Sequence, residues 1–161
     1  MRHTIAVLVQ NHSGVLTRVS GLFSSRNFNI ESLSVGETQD PLVSRMTIVV
    51  SGDDSVLDQV EKQLTKLVEV IKVEDLSGEG AVVRELALVK VKAEGQGRLE
   101  LFEIANVFRA KVLDISTATL SMEVTGEHGK VGAFLQLLQP YGIIELVRTG
   151  AAGISRGSQT L

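Results

Sequence analysis

The sequence IAVLVQNHSGVLTRVSGLF, residues 5–23, joins a strand pattern to a helix pattern within one short segment. Ile5, Val7 and Val9 alternate with other residues, which is the spacing of a half-buried strand. After the interruption Asn11-His12-Ser13-Gly14, apolar residues recur at the spacing of an amphipathic helix: Val15, Leu16, Val19, Leu22 and Phe23. The segment therefore predicts a strand, a tight loop and a helix, in that order.

Two more strands, a helix and a final strand follow in the first half of the chain. Residues 28–35 and 43–50 have strand-like patterns and flank the turn signal Gln39-Asp40-Pro41. Gly52-Asp53-Asp54-Ser55 is typical of a helix start, because acidic residues there complement the helix dipole. The buried stripe of that helix is predicted to be Val56, Leu57, Val60 and Leu64. Residues 68–73 then complete a predicted βαββαβ unit.

The second half of the chain repeats this order at low identity. Its predicted strands are residues 86–93, 112–115, 118–124 and 143–147, and its two helices carry Leu101, Ile104, Ala105 and Phe108, then Val131, Phe134, Leu135 and Leu138. Ser77-Gly78-Glu79-Gly80 is the predicted linker. We therefore predict an α+β fold of two ferredoxin-like βαββαβ sandwiches in tandem, over residues 1–77 and 78–161. The Gly-rich tail from Thr149 is expected to fray.

The strand phases predict which sheet faces are covered. Ala6 and Leu8 are apolar although they lie opposite the inward positions of the first strand, and Val49 is apolar in the same way. The outer face of the first sheet is therefore expected to be covered, the alternative being an incidental apolar surface. In the second half, Thr119, Ser121 and Glu123 share one phase, which predicts a polar, solvated outer face.

The second predicted strand shows a phase slip that bears on assembly. Phe28 and Ile30 share one face, whereas Leu33 and Val35 share the other, as a β-bulge would cause. In a ferredoxin-like order this strand lies at a sheet edge, which is a liability unless it is paired. Each half is also small enough to be marginally stable alone. We therefore predict a homodimer joined edge to edge; simple irregularity of the strand is the alternative.

The composition excludes several classes of function. The chain has 161 residues, a net charge of −3 and no Cys, so we expect no nucleic-acid partner and no thiolate metal site. The apolar N-terminal stretch is too short for a signal peptide or a membrane span, which predicts a cytoplasmic protein. His3, His12 and His128 lack metal-ligand spacing, and no nucleophile motif is present. An RNA-binding domain of this shape needs aromatic residues on its central strands, and those strands have none.

The loop between the first strand and the first helix is the one segment with suggestive chemistry. An Asn or Ser would cap the helix there, and Gly14 would leave the first N–H groups uncovered, so that they could bind a carboxylate. Asn11 can offer an amide oxygen to an ammonium group. The chemistry alone leaves two interpretations open: an α-amino acid site, or a plain helix cap with an easy turn.

Several stretches of the chain carry a family resemblance. In the first half they are Asn11-His12-Ser13-Gly14-Val15-Leu16-Thr17-Arg18-Val19, Gly21-Leu22-Phe23-Ser24, Asn27-Phe28-Asn29-Ile30-Glu31-Ser32-Leu33 and Ser44-Arg45-Met46-Thr47-Ile48. In the second half they are Arg84-Glu85-Leu86-Ala87-Leu88-Val89-Lys90-Val91, Phe108-Arg109-Ala110 and Gly153-Ile154-Ser155-Arg156-Gly157. On these stretches nearly the whole chain resembles the small subunit of acetohydroxyacid synthase, and residues 5–76 resemble its ACT domain.

The resemblance implies a non-catalytic regulatory subunit that dimerises through its ACT domains and binds valine at the interface. The implied effector residues are Asn11, Ser13, Gly14, Val15 and Leu16 of one subunit, with Asn29 and Ile30 of the other. It further implies a separate large catalytic subunit that carries thiamine diphosphate, FAD and magnesium, with no cofactor and no metal in this chain. The alternative is an ACT-type amino-acid sensor that serves another pathway.

Overall fold

The structure, a computed structural model, describes all residues from 1 to 161. The chain forms two compact units: Met1–Val83 together with Ala151–Leu161, and Arg84–Gly150. Each is built on a βαββαβ order, so the predicted α+β fold of two tandem ferredoxin-like sandwiches is confirmed. The expected division lies at residue 77. In the structure the first unit extends to Val83 instead, and the last residues of the chain also belong to the first unit.

The first unit contains a four-stranded antiparallel sheet with two helices. Its elements are β1 (Arg2–Gln10), α1 (Val15–Ser25), β2 (Ile30–Glu37), β3 (Val43–Ser51), α2 (Asp54–Leu64) and β4 (Val70–Asp75). The strand order is β2-β3-β1-β4, so β2 and β4 are the sheet edges. The register of β2 against β3 shifts between Ile30 and Ser32, which confirms the predicted bulge, and the strand order confirms the predicted edge position.

The core of the first unit lies between this sheet and its helices. Inward residues of β1 and β3 meet the apolar stripes of α1 and α2; they include Ile5, Val7, Met46, Ile48, Val19, Phe23, Val60 and Leu64. Burying one such side chain stabilises the fold by about 1.5–3 kcal/mol. Helix α2 begins as predicted, because the Asp53 carboxylate accepts a hydrogen bond of 3.1 Å from the Val56 N–H.

The second unit repeats the arrangement. Its elements are β5 (Ala81–Lys92, which begins in the first unit), α3 (Gly97–Phe108), β6 (Lys111–Ile115), β7 (Thr119–Gly126), α4 (His128–Leu138) and β8 (Ile143–Arg148). The strand order is β6-β7-β5-β8. The outer face of this second sheet is only partly polar. Thr119, Ser121 and Glu123 are half-buried there, whereas Leu88 and Val147 on neighbouring strands are exposed.

The C-terminal segment packs on the outer face of the first sheet through β9 (Ala152–Ser155). The Ala151 N–H donates to Ser32 Oγ at 3.3 Å and the Gly153 N–H donates to Thr47 Oγ1 at 3.3 Å. Further along, Ser155 Oγ donates to Glu74 Oε1 at 2.7 Å. Ala6 and Val49 are fully buried on this sheet, so the prediction of a covered face is confirmed.

The prediction that the tail frays is wrong for β9. Ala151 and Gly153 are buried, and a side chain added at Gly153 would meet Leu76 Cδ1 at 2.8 Å. Glycine at this position lets the backbone approach the unit closely, which is why a Gly-rich segment is ordered there. No helix of the structure combines the length and the hydropathy that a bilayer-crossing segment needs.

Candidate functional site

The loop between β1 and α1 ends in a glycine that begins the helix. Gly14 is the N-cap of α1, with φ at 89° and ψ at −14°, in the left-handed region that glycine tolerates best. No side chain caps this helix, so the expectation that Asn or Ser does so is wrong. The Val15 N–H donates to the His12 carbonyl at 3.5 Å, and the other N–H groups of the first turn are open to an anion, since they have no acceptor within the helix.

Asn11 fixes the loop to the turn between β2 and β3. Its backbone N–H donates to the Leu42 carbonyl at 2.8 Å, and its Nδ2 donates to the Pro41 carbonyl at 2.8 Å. Nδ2 also lies 3.4 Å from Glu37 Oε2. These contacts occupy the amide nitrogen and leave the amide oxygen as an acceptor for a ligand, which is the role the sequence predicts for Asn11.

The base of the loop is held by Glu69, which lies just before β4. The Gln10 N–H donates to the Glu69 carbonyl at 2.9 Å. The Arg18 guanidinium, on the second turn of α1, pairs with the Glu69 carboxylate, whose side chain is 9% exposed. The start of α1 is therefore tied both to the end of β1 and to the beginning of β4.

The remaining loop positions have distinct surroundings. Val15 is buried in the core of the first unit, whereas Ser13 and Leu16 are exposed, Leu16 to 46%. The His12 ring makes contacts inside the loop, at 3.1 Å to the Ser13 carbonyl and 3.2 Å to Gln10 Oε1. Leu16 is thus the predicted residue that can offer apolar surface beside the open N–H groups.

Asn29 and Ile30 lie at the other end of the sheet. Asn29 is exposed directly before β2, and Ile30 pairs with Val50 near the end of β3. The loop, in contrast, bonds to Leu42, directly before β3 begins. Seven residues of strand separate the two places, a distance of about 23 Å at about 3.3 Å per residue. One chain therefore brings Asn11, Ser13, Gly14, Val15 and Leu16 together, but not with Asn29 and Ile30.

Three residues of this region were missed by sequence reasoning. Glu37 ends the edge strand and touches Asn11, Pro41 accepts from the Asn11 amide, and Glu69 holds Arg18. The turn signal at Pro41 could have indicated a neighbour of the loop. No sequence pattern could have paired Arg18 with Glu69, because the two residues are joined only by the fold.

The three histidines occupy separate places. His3 is buried, and its Nε2 lies 3.2 Å from the Gly52 carbonyl. His128 opens α4 beside a buried Glu85, whose carboxylate pairs with Arg148. No group of three or more His, Asp or Glu residues is placed to hold a metal ion.

Comparison with known proteins identifies both halves of the chain. The family model described as an AHAS small subunit-like ACT domain matches residues 5–72, and the model described as the small subunit of acetolactate synthase matches residues 84–157. A probable acetolactate synthase small subunit from Archaeoglobus fulgidus is 54% identical over 159 residues, covering 99% of both chains. The acetolactate synthase small subunit of Mycolicibacterium smegmatis is 52% identical, covering 96% of this chain and 91% of that protein.

A solved structure agrees with the sequence relatives. The crystal structure of an acetolactate synthase small subunit from Thermotoga maritima superimposes with a TM-score of 0.89 and 40% identity, covering 99% of both chains. These matches extend over the loop, the edge strand and the C-terminal segment alike, because almost no residue lies outside them. The chain therefore belongs to the acetolactate synthase small-subunit family, whose enzyme is also called acetohydroxyacid synthase, and its first unit is an ACT domain.

Proposed function

We propose that this chain is the non-catalytic regulatory subunit of an acetolactate synthase, that it forms a homodimer through β2, and that it binds valine at the dimer interface. Valine would inhibit the enzyme by feedback, and the subunit would raise the activity of a separate catalytic subunit in branched-chain amino acid biosynthesis. Membership of the small-subunit family supports a partner of that kind.

One observation carries the proposal. The loop residues Asn11 to Leu16 and the pair Asn29 and Ile30 lie at opposite ends of the edge strand β2. If two β2 strands pair antiparallel about a two-fold axis at Leu33, the partner subunit's Asn29 lies opposite Glu37. Glu37 touches Asn11, so the partner subunit's Asn29 and Ile30 would come beside the loop that the first subunit contributes. An antiparallel pair has a two-fold axis, and the same arrangement would recur at the other end of the interface.

The chemistry of the combined site suits an aliphatic α-amino acid. The open N–H groups at the start of α1 would bind the carboxylate, near Gly14, Val15 and Leu16. Asn11 Oδ1 and the partner subunit's Asn29 would orient the ammonium group. The exposed Leu16 and the partner subunit's Ile30 would contact the isopropyl group.

Feedback inhibition would follow from a difference in the affinity of valine for different arrangements of the two subunits. A ligand that touches both subunits binds the paired edge strands better than any separated or shifted arrangement. It can shift the equilibrium between those arrangements by no more than that difference in affinity. The catalytic subunit would respond to the arrangement that valine favours.

The catalytic subunit, rather than this chain, would carry thiamine diphosphate, FAD and magnesium. We expect no cofactor here, and we place both subunits in the cytoplasm, because regulation by contact requires one compartment. An ACT-type sensor for another pathway is the alternative, and it would bind an amino acid without any thiamine-dependent partner.

The decisive experiment combines co-purification with an activity assay. A tagged chain is used to capture partners from the source lysate, and acetolactate formation from pyruvate is measured with the catalytic subunit alone, with both subunits, and with added valine. The proposal requires capture of a thiamine-dependent partner, a higher turnover in the complex and inhibition by valine. Acetolactate formed by the chain alone, with contamination excluded, would contradict the non-catalytic role.

A further inference from the structure

The first unit contains a cavity that the effector loop does not form. Its volume is about 670 Å³, within the range of roughly 300–1,000 Å³ that small-molecule sites occupy. One wall is the outer face of the sheet with the β2–β3 turn, and the other wall is the C-terminal segment that packs on that face. Its lining includes Leu8, Glu37, Asp40, Val43, Arg45 and Ile154.

Arg45 places a guanidinium in the lining of the cavity. Its Nη2 donates to the Gly153 carbonyl at 2.7 Å, which fixes the guanidinium beside β9. Its Nε is buried and has no hydrogen-bond partner in the protein. A ligand in the cavity would therefore meet the outer part of the guanidinium rather than Nε, and its positive charge favours a carboxylate there.

The β2–β3 turn adds negative charge at the same cavity. Glu37 and Asp40 both line it, and both are exposed at its mouth. One Asp40 oxygen accepts from the Leu42 N–H at 2.9 Å, which orients the carboxylate. The side chains of the lining therefore present one cation, Arg45, and two anions, which disfavours a simple anion and favours a ligand with both charges.

Apolar side chains complete the lining. Leu8 lies on β1 with its side chain on the outer face, Val43 begins β3, and Ile154 belongs to β9. Ile154 is 59% exposed, so a ligand with a short aliphatic part would cover surface that is otherwise in contact with water.

We propose that this cavity is a second small-molecule site, formed within one chain, for a small aliphatic zwitterion of the α-amino acid class. The ligand's carboxylate pairs with Arg45, its ammonium group with Glu37 and Asp40, and its aliphatic part with Leu8 and Ile154. The site uses neither Gly14 nor Asn29 and needs no partner subunit, so it is separate from the interface site, although both sites use Glu37.

The test is calorimetric titration of the full chain with L-valine and L-leucine, in a Gly14→Asp background that blocks the loop site. We expect one site per chain to remain. Filling the cavity with Ile154→Trp, or removing the charge with Arg45→Met, should weaken that binding at least tenfold. Leu42→Trp is the matched control, because Leu42 is 76% exposed, neighbours Val43 and does not line the cavity.

The two ends of the ligand can be tested separately. 3-Methylbutanoate lacks the ammonium group and isobutylamine lacks the carboxylate, so both should bind at least tenfold more weakly than the amino acids. The proposal is overturned if the Gly14→Asp chain binds neither amino acid, or if the residual binding is unchanged in both Ile154→Trp and Arg45→Met. The interface proposal fails by a different result, namely the same number of sites per chain with and without Gly14→Asp.

Discussion

Asn11 and Glu37 lie in contact, with 3.4 Å between Asn11 Nδ2 and Glu37 Oε2. The contact joins the loop before α1 to the last residue of the edge strand, although 26 positions separate the two residues in the sequence. A change in how β2 pairs at its outer edge can therefore reach the loop through one side chain. The contact would therefore couple the proposed effector site to the proposed dimer edge.

The first prediction concerns the carboxylate end of the effector site. Gly14→Asp should abolish valine inhibition, because a negative side chain at the start of α1 repels the ligand's carboxylate. Activation of the catalytic subunit should persist. The open space around Gly14 admits a side chain, but its φ of +89° strains most residues.

Gly14→Asn is the matched control for that strain, since Asn has the shape of Asp without its charge and tolerates positive φ. A thermal shift assay gives an independent measurement: valine at about 100 times its dissociation constant should stabilise the native chain by roughly 2.7 kcal/mol per site. Gly14→Asp should lose the part of this gain that comes from the loop site, and Gly14→Asn should keep some of that part. Full valine sensitivity in a folded Gly14→Asp chain would mean that the loop only begins a helix.

The second prediction addresses the other half of the same site. Asn29→His should also remove valine inhibition, because Asn29 would orient the ligand from the partner subunit. Since Asn29 is exposed and precedes β2, the substitution should leave the unfolding temperature without ligand nearly unchanged. Mixing Gly14→Asp chains with Asn29→His chains offers a sharper readout. Mixed dimers would contain one intact site and one doubly altered site, so partial sensitivity should return; no recovery would argue against a shared site.

The third prediction tests the edge strand. Val35→Asp should weaken the dimer at least tenfold, or about 1.4 kcal/mol, because the new carboxylate would lie directly opposite the partner subunit's Glu31. Val35 is 46% exposed, so the fold should tolerate the change, whereas Leu33→Asp would also disturb the core against which Leu33 packs. Sedimentation velocity measures the association. Val68→Asp is the control, since Val68 is 82% exposed away from β2, and equal weakening by both variants would place the interface elsewhere.

The fourth prediction concerns the packed C-terminal segment. Gly153→Val should destabilise the first unit by about 1–3 kcal/mol, because the new side chain overlaps Leu76, whose Cδ1 would lie 2.8 Å from the added Cβ. Ala152→Val, at the neighbouring exposed position, should change stability little. Denaturant unfolding measures both variants, and limited proteolysis should cleave the tail of Gly153→Val first. Equal stability of the two variants would show that β9 contributes nothing to the unit.

The fifth prediction is a pH dependence at the start of α2. Hydrogen bonds from the Ser55 hydroxyl and then from the Val56 N–H lower the pKa of Asp53 below its ordinary value of 3.8. The carboxylate is thus favoured by folding. Its stabilising effect is present at pH values above 3.8 and is lost as the pH falls through the lowered pKa. Asp53→Ala should therefore reduce the unfolding temperature at neutral pH and have little effect in strong acid.

Glu79→Ala controls for the general loss of one carboxylate, because Glu79 lies in an exposed turn away from any helix start. Thermal unfolding across the acidic range measures both variants. A difference between wild type and Asp53→Ala that stays constant down to the lowest pH would contradict the assignment of the cap.

Local patterns were sufficient to predict much of the fold. The alternation of Ile5, Val7 and Val9 and the phase slip after Ile30 both arise from contacts within a strand or with the adjacent strand. Such contacts leave a local pattern that can be recognised in the sequence. The position of β9 could not be predicted, because it depends on hydrogen bonds from a Gly-rich backbone to Ser32 and Thr47, which have no sequence periodicity.

The candidate site, too, could be predicted only in part from the sequence. The loop could be recognised by its chemistry, since Gly14 before an apolar helix indicates open N–H groups. The expected cap failed because the left-handed turn at Gly14 makes that residue itself the N-cap, and glycine has no side chain to bond. Asn29 was identified only through the resemblance to a family. It lies about 23 Å from the loop within one chain, and no local sequence pattern connects the two places.

The position of β9 also sets an order of events during protein synthesis. The ribosome completes the first four strands and two helices early, but the segment that covers their outer face is made last. At about 5–20 residues per second, the intervening Arg84–Gly150 takes roughly 3–13 s to translate. Throughout that interval the nascent ACT domain exposes apolar residues such as Ala6 and Val49, so premature termination would release a chain that is prone to aggregate and is a substrate for chaperones and proteases.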